Sequence, residues 1–147
     1  MKIIQPATEH ELKMYYDLRY EILRKPWNQS YDSTFDEWEK NSIHALMLDD
    51  KGEGMTAGRL QINSAEEGQI RSMAVKESEQ KNGHGTKMLL WLEEEARRRR
   101  MKHIVLDARD IAVKFYLKNG YVIEGDSYTL FGSIVHYRMK KTLNFEL

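Results

Sequence analysis

Apolar residues recur with two different periods along this chain, and the switches between them divide it into elements. Residues 2–5 (KIIQ) hold a β-branched pair and predict a first strand. Leu12, Tyr15, Leu18 and Ile22 follow at helical spacing and read as one buried stripe. Ahead of that stripe, Thr8 and Glu11 stand at capping-box spacing. Pro26 ends the helix, because the residue before a proline avoids the helical region. Residues 27–41 are polar, with Trp27, Tyr31, Phe35 and Trp38 interspersed. They predict a loop with a helical turn near residues 36–40. Three turn-bounded strands over residues 43–48, 54–63 and 69–75 predict an antiparallel meander.

Helical spacing returns at residue 83 and runs to about residue 100, with Leu89, Leu92 and Ala96 on the inner face. Glu93–Arg97, Glu94–Arg98 and Glu95–Arg99 are spaced i,i+4 in the favourable order. The arginine run at 97–100 reads as a solvated face that complements the negative end of the helix dipole. Residues 103–107 (HIVLD) are a strand of the buried type. A short helix follows, with Asp110 as N-cap and Gly120 as the left-handed residue after its end. Residues 121–124 and 133–139 are the last strands. The order is β, α, a β meander, then α, β, α, β, β, an α/β fold with a mixed sheet. Strands flanking the helix at residue 83 run parallel if they are neighbours, because a helix crossover joins them.

Composition narrows the chemistry. A length of 147 residues predicts one domain over residues 1–147. The absence of cysteine excludes disulfides, thiolate catalysis and cysteine metal sites, and is compatible with a cytoplasmic setting. The segment MKIIQPATEH lacks the apolar run of a signal peptide, and no apolar stretch approaches membrane-spanning length. Lys plus Arg and Asp plus Glu are equal at 23 each, whereas nucleic-acid binders carry a basic excess. The balance points to a small ligand rather than to a polyanion, and neither nucleic acid nor a membrane is the expected partner.

Residues 79–89, EQKNGHGTKML, place Gly83 and Gly85 at the start of the second long helix. First-turn amides have no partner inside a helix, and with the macrodipole they make an anion site. Glycines let the backbone approach a phosphate and adopt positive φ. A tight strand-to-helix turn needs the same residues, so the pair alone leaves both readings open. A P-loop needs Gly-Lys-Ser/Thr after a longer spacer, but Thr86 follows Gly85 directly. The dinucleotide fingerprint needs a third glycine and a helix after the first strand, and neither is present.

The surrounding residues decide between these readings. Residues 71–89, RSMAVKESEQKNGHGTKML, resemble the acyl-CoA motif of the GNAT superfamily of N-acetyltransferases. The strand end is Met73, Ala74 and Val75, and the loop is Gln80, Lys81, Asn82, Gly83, His84 and Gly85. Glu77 replaces the proline common in the family at that turn. A second segment, LDARDIAVKFYLKNGY, is similar to the family's Asn/Arg-x-x-Ala-x-x-Phe-Tyr-x-Lys-x-Gly-Tyr/Phe run. Its matching residues are Arg109, Ala112, Phe115, Tyr116, Lys118, Gly120 and Tyr121. The tail IVHYRMKK resembles the end of one common branch, with Val135 in place of proline, and LRYEILRKPW resembles that branch's first helix.

The resemblance implies a GNAT fold, a central mixed and mostly antiparallel sheet flanked by helices. It also implies acyl transfer from acetyl-CoA to an amine of a small molecule or peptide, without a metal. Backbone amides from Gln80 to Thr86 would hold the pyrophosphate, and Met73, Ala74 and Val75 would lie along the pantetheine arm. Arg109 and Ala112 belong to the same cofactor-facing motif. Tyr116 matches the general acid for the departing thiolate; on spacing alone it reads as a core residue. Deprotonating a lysine-like amine of pKa about 10.4 near neutral pH costs roughly 4–5 kcal/mol, and a histidine is the natural base. His136 is the candidate, against a structural histidine capping a loop. His84 reads as a backbone donor with a solvated ring, and Glu66 and Glu67 as turn residues without a specific role. Arg71 either binds an acceptor carboxylate or pairs with a neighbouring acid. Trp27 and the aromatic stretch read either as part of an acceptor lid or as a satellite core cluster. Arg19 and Arg24 recognise an anionic acceptor or lie on the surface. A homodimer through the last strands is common in the family. A non-catalytic acyl-CoA sensor and a generic α/β interaction domain are the competing readings.

Overall fold

The computed structural model describes residues 1–143. Thr8 caps the first helix in both directions: its hydroxyl accepts from the Glu11 amide at 3.1 Å, and the Glu11 carboxylate accepts from the Thr8 amide at 3.1 Å. The elements are β1 (Lys2–Ile4), α1 (Glu9–Leu23), β2 (Ser42–Leu48), β3 (Gly54–Ile62), β4 (Glu67–Val75), α2 (His84–Arg98), β5 (His103–Arg109), α3 (Val113–Lys118), β6 (Val122–Leu130) and β7 (Ile134–Thr142). The strands form a seven-stranded sheet in the order β1-β2-β3-β4-β5-β7-β6. Among the described residues only β4 and β5, the strands on either side of α2, pair in parallel, as the crossover rule requires.

Period-2 alternation assigns each sheet face to one helix. Ile43, Ala45 and Met47 of β2 join Leu89, Leu92 and Ala96 of α2 in one core. Leu46 and Leu48 face the opposite way and pack with Tyr15 and Leu18 of α1. Leu89 and Leu92 are fully buried, each worth roughly 1.5–3 kcal/mol by transfer.

Several elements depart from the sequence reading. Helix α1 stops at Leu23, and Pro26 sits inside a 3-10 turn over Lys25–Trp27. Further 3-10 turns occupy Tyr31–Thr34 and Glu39–Asn41, and the turn expected near 36–40 is present, the Glu39 amide bonding the Asp36 carbonyl at 3.3 Å. On α2 the ion pairs are spaced i,i+3: Arg97 meets Glu94 at 3.6 Å and Arg98 meets Glu95 at 2.6 Å. Glu93 is buried instead, accepting from the Tyr121 hydroxyl at 2.9 Å and the Lys141 ammonium at 3.0 Å. It lies four residues after Leu89 and therefore on the inner face. Asp110 accepts from the adjacent Ile111 amide at 2.8 Å and opens a 3-10 turn, so it is not the N-cap of α3. Strand β6 runs six residues past the expected end at residue 124, through two register shifts against β7.

Arg19 is neither a surface residue nor an acceptor contact. It is 2 % exposed and grips Glu39 through both terminal nitrogens, at 2.7 and 3.0 Å. Arg59, fully buried on β3, takes both Asp36 oxygens at 3.0 and 2.8 Å and also reaches Glu39. This paired network ties residues 31–41 to α1 and the sheet. Around it Phe35 packs on Tyr16 and Tyr31 at centroid distances of 4.5 and 5.7 Å, the satellite cluster among the two readings of this stretch.

Candidate active site

The site begins with a break in the sheet. The parallel ladder between β4 and β5 ends at Ile70 and Leu106. Beyond it the register of β4 against β3 slips between Ala57 and Arg59, and Ser72 adopts φ +56. An extra residue with a left-handed backbone is a β-bulge, and a bulge bends its strand. Strand β4 therefore turns away while β5 continues beside β7. A cleft of about 620 Å³ opens between them, lined by Arg71, Met73, Val75, Asp107, Arg109 and Tyr116 among others. The edge of β4 after the bulge has lost its β5 partner and offers main-chain groups to an extended ligand.

The glycine loop closes one end of this cleft. Gly83 is left-handed at φ +81 and stands at the N-cap of α2, with no side chain capping the helix. The contrast with the capping box of α1 is direct. Lys87 is the first amide to bond back, to the Gly83 carbonyl at 3.2 Å. Between Lys81 and Thr86 no main-chain amide finds a protein acceptor among the described residues. Gln80, Lys81, Gly83, His84, Gly85 and Thr86 line the cleft. This fits a diphosphate: the start of α2 offers unpaired donors and the positive end of a dipole. Gly85 packs under Phe115, where a Cβ would meet the ring at 3.4 Å. The His84 ring is buried rather than solvated, and its Nδ1 has no partner among the described residues.

The walls carry the titratable groups. Tyr116 of α3 is buried, which pushes its phenol up to about 12 while Arg109 pulls it back. His136 of β7 pairs with Arg109 of β5 in the ladder, is 5 % exposed and lines the same cleft. Its Nδ1 donates to the Ile134 carbonyl at 2.9 Å, since a carbonyl can only accept. That bond leaves Nε2 as the acceptor of a neutral ring. Tyr128 of β6 stacks on the imidazole.

The cleft thus gathers most of the residues singled out in the sequence. Besides Arg19, three candidate site residues lie outside its walls. Ala74 is buried against α1 in the other core, and Asn82 is exposed and bonded to Glu79 at 3.1 Å. Trp27 stands behind the lining, with the Arg109 guanidinium 4.8 Å above its ring. Ser72, Asp107 and Tyr128 escaped the sequence reading. An aspartate ending the run HIVLD was a signal for the second; the first depends on a bulge and the third on the unforeseen length of β6.

Residues 12–121 match the Acetyltransferase (GNAT) family. The chain belongs to this family. It is similar to the uncharacterized N-acetyltransferase YjcF of Bacillus subtilis (strain 168), 28% identical over 141 residues that cover 96% of this chain and 99% of that protein. Its fold matches a Lactobacillus plantarum protein assigned as an N-acetyltransferase, with a TM-score of 0.86 at 24% identity over 97% of this chain and 98% of that one. An aminoglycoside 6'-N-acetyltransferase complexed with coenzyme A matches with a TM-score of 0.82 at 18% identity over 100% of this chain and 99% of that one. The protein is thus an acyltransferase with the GNAT fold. Among the described residues no helix is long and apolar enough to cross a membrane.

Proposed function

We propose that the protein moves an acetyl group from acetyl-CoA to a primary amine of a small molecule or peptide by direct attack of the amine on the thioester. The observation that supports this most is the union, on one cleft, of the uncapped start of α2 with His136 and Tyr116. Acetyl-CoA supplies the activated acyl group. The loop from Gln80 to Thr86 holds the diphosphate by its free amides. Met73 and Val75, past the bulge, present main-chain donors and acceptors to the pantetheine arm. A donor there that meets the thioester oxygen contributes on the order of 3 kcal/mol, the cost seen when such donors are removed.

His136 takes the proton from the attacking amine at Nε2, with its tautomer held by the Ile134 carbonyl. Tyr116 stays protonated at neutral pH, because burial holds its phenol at about 12, and it offers that proton to the leaving sulfur. The acyl carbon becomes bonded to the amine nitrogen, and the thiolate leaves and is protonated. The test is a free-thiol assay over an amine panel, paired with calorimetry of coenzyme A. Binding with thiol release on at least one acceptor is expected. Binding without release on any acceptor would leave a non-catalytic acyl-CoA sensor, and no binding at millimolar coenzyme would remove the site.

A further inference from the structure

Charge is unevenly distributed along the cleft. Arg71 stands before the Ser72 bulge, on the side away from the glycine loop, and Arg24 and Arg109 line the cleft with it. All three act on one phenol. Burial raises the Tyr128 hydroxyl above the usual range and Asp107 adds to that, while the charges of Arg71, Arg24 and Arg109 each pull it down. Arg24 in turn is lowered first by burial and then by charges that include Arg71 and Arg109. The three guanidinium groups thus share one cleft, and Arg24 is repelled by the other two.

None of the three has a carboxylate partner among the described residues. Arg24 donates to the Ser33 and Leu23 carbonyls at 3.1 and 3.2 Å. Arg109 lies on the face of Trp27 at 4.8 Å, and Arg71 acts on the Asp36 carboxylate through space, without an ion pair to it among the described residues. The three carboxylates in the lining have closer partners elsewhere, and Glu79, beside the glycine loop, accepts from Asn82 at 3.1 Å. Asp36 is held by Arg59 through both oxygens. Asp107 is held by Arg138 at 3.1 and 3.2 Å and by the Ser127 hydroxyl at 2.7 Å. Guanidinium groups do not shed their charge, so three of them without a directly bonded carboxylate leave a positive surplus that fits an anion.

We propose that the acceptor is an amine carrying a compact oxyanion, a carboxylate or a phosphate, gripped by Arg71, Arg24 and Arg109 while its amino group reaches His136. This rests on the acyl-transfer reading above and names its substrate class. An arginine fork matches two oxygens of either anion. The same field repels a polycationic acceptor, and it favours the neutral form of the amine that must attack.

Matched pairs test the proposal: an amino acid against its amide, phosphoethanolamine against ethanolamine, and a polycationic aminoglycoside. The carboxylate and phosphate arms separate the two sources of the anion. The expected result is a kcat/KM at least about 100-fold higher for the anionic member of one pair, the scale of a strong charged contact. In Arg71→Gln the preference shrinks through KM, while the affinity for coenzyme A by calorimetry is unchanged. Equal use of both members, preference for the aminoglycoside, or a preference that survives in the Arg24→Gln/Arg71→Gln double variant overturns it. Should coenzyme A bind and no amine react, the catalytic reading fails by itself. Glycine and inorganic phosphate, titrated into the coenzyme complex, then decide the anion site: binding that the double variant loses supports it, and no heat at about 10 mM rejects it.

Discussion

Tyr128 lies flat on the His136 imidazole, with ring centroids 4.4 Å apart and planes within 16°. The stack fixes the face of the ring, and the Ile134 carbonyl at 2.9 Å fixes its edge. Two neighbouring strands thus set the direction of one lone pair, on Nε2. Tyr128, Ile134 and His136 belong to one β6–β7 hairpin, so their mutual geometry is local, and the pairing of β7 with β5 is what carries it to the cleft.

A base so held predicts a specific loss. His136→Gln should lower kcat about 10²-fold, the lower range for general-base catalysis, with little change in coenzyme A affinity. The deficit should narrow as pH rises toward 10, where an amine of pKa about 10.4 sheds its own proton. Steady-state rates across that range check it; a wild-type rate in the variant at neutral pH rules His136 out as the base.

Tyr116→Phe should cost less. Burial holds the phenol at about 12, so the proton is present but bound more tightly than on a free thiol, whose pKa is about 8.5. Full transfer to the thiolate runs uphill, and the hydroxyl acts mainly by hydrogen bonding to a fair leaving group. A roughly tenfold fall in kcat is expected, the loss of one modest hydrogen bond. No fall at all would leave Tyr116 a packing residue.

The glycine loop should discriminate by backbone, not by charge. Lys81 is exposed and already left-handed at φ +72, so Lys81→Ala alters neither the amides nor their geometry much. Gly83 is left-handed at φ +81 with open space where a Cβ would go. Gly83→Val therefore meets strain rather than a clash, about 1–2 kcal/mol or more, which the loop relieves by turning its amides. Calorimetry should show coenzyme affinity nearly kept in the first variant and reduced at least tenfold in the second. Equal losses would place the grip on side chains.

Gly58 faces the bulge from β3, and its substitution should be felt on both sides. A Cβ there would stand 2.8 Å from Met88 Cγ and 3.0 Å from Leu92 Cδ1, both on α2. Gly58→Ala should destabilise the protein by about 1–3 kcal/mol through overpacking. A denaturant midpoint unchanged from wild type would mean that α2 shifts without cost.

Much of this fold was legible because its signals are local. The Thr8–Glu11 box, the α2 stripe and the turn-bounded meander each depend on residues a few positions apart. So did the parallel pair, once a helix was seen between two strands. The bulge was not legible: Ser72 is an ordinary residue whose positive φ is imposed by the pairing of β3 with β4. Arg19 and Glu93 were misread for a related reason. Charge spacing along a helix looked like a solvated surface, but their partners Glu39 and Lys141 come from distant segments. Tyr128 was hidden because β6 continues through register shifts beyond residue 124, where the sequence reading ended the strand.

Acid should loosen the molecule through His44 before it reaches the carboxylates. The His44 ring bridges the Glu39 carbonyl and the Tyr15 hydroxyl, both at 2.6 Å. A carbonyl only accepts, so Nε2 carries the hydrogen and Nδ1 accepts from Tyr15. Burial pushes the His44 pKa below the usual 6.5, although the bond to the Glu39 carbonyl pulls the other way. The folded protein then binds fewer protons than the unfolded chain just below that value. Stability is full above about pH 6.5 and falls as pH drops toward the lowered folded pKa. Asp36, opposed by burial but held to about 2 by Arg59, and Glu39, also lowered, keep their charge over this interval and matter only in stronger acid. His44→Gln can donate to Glu39 and accept from Tyr15 without titrating. Between about pH 7 and pH 5 the urea midpoint should fall in the wild type and stay nearly level in the variant; parallel slopes would assign the acid sensitivity to another group.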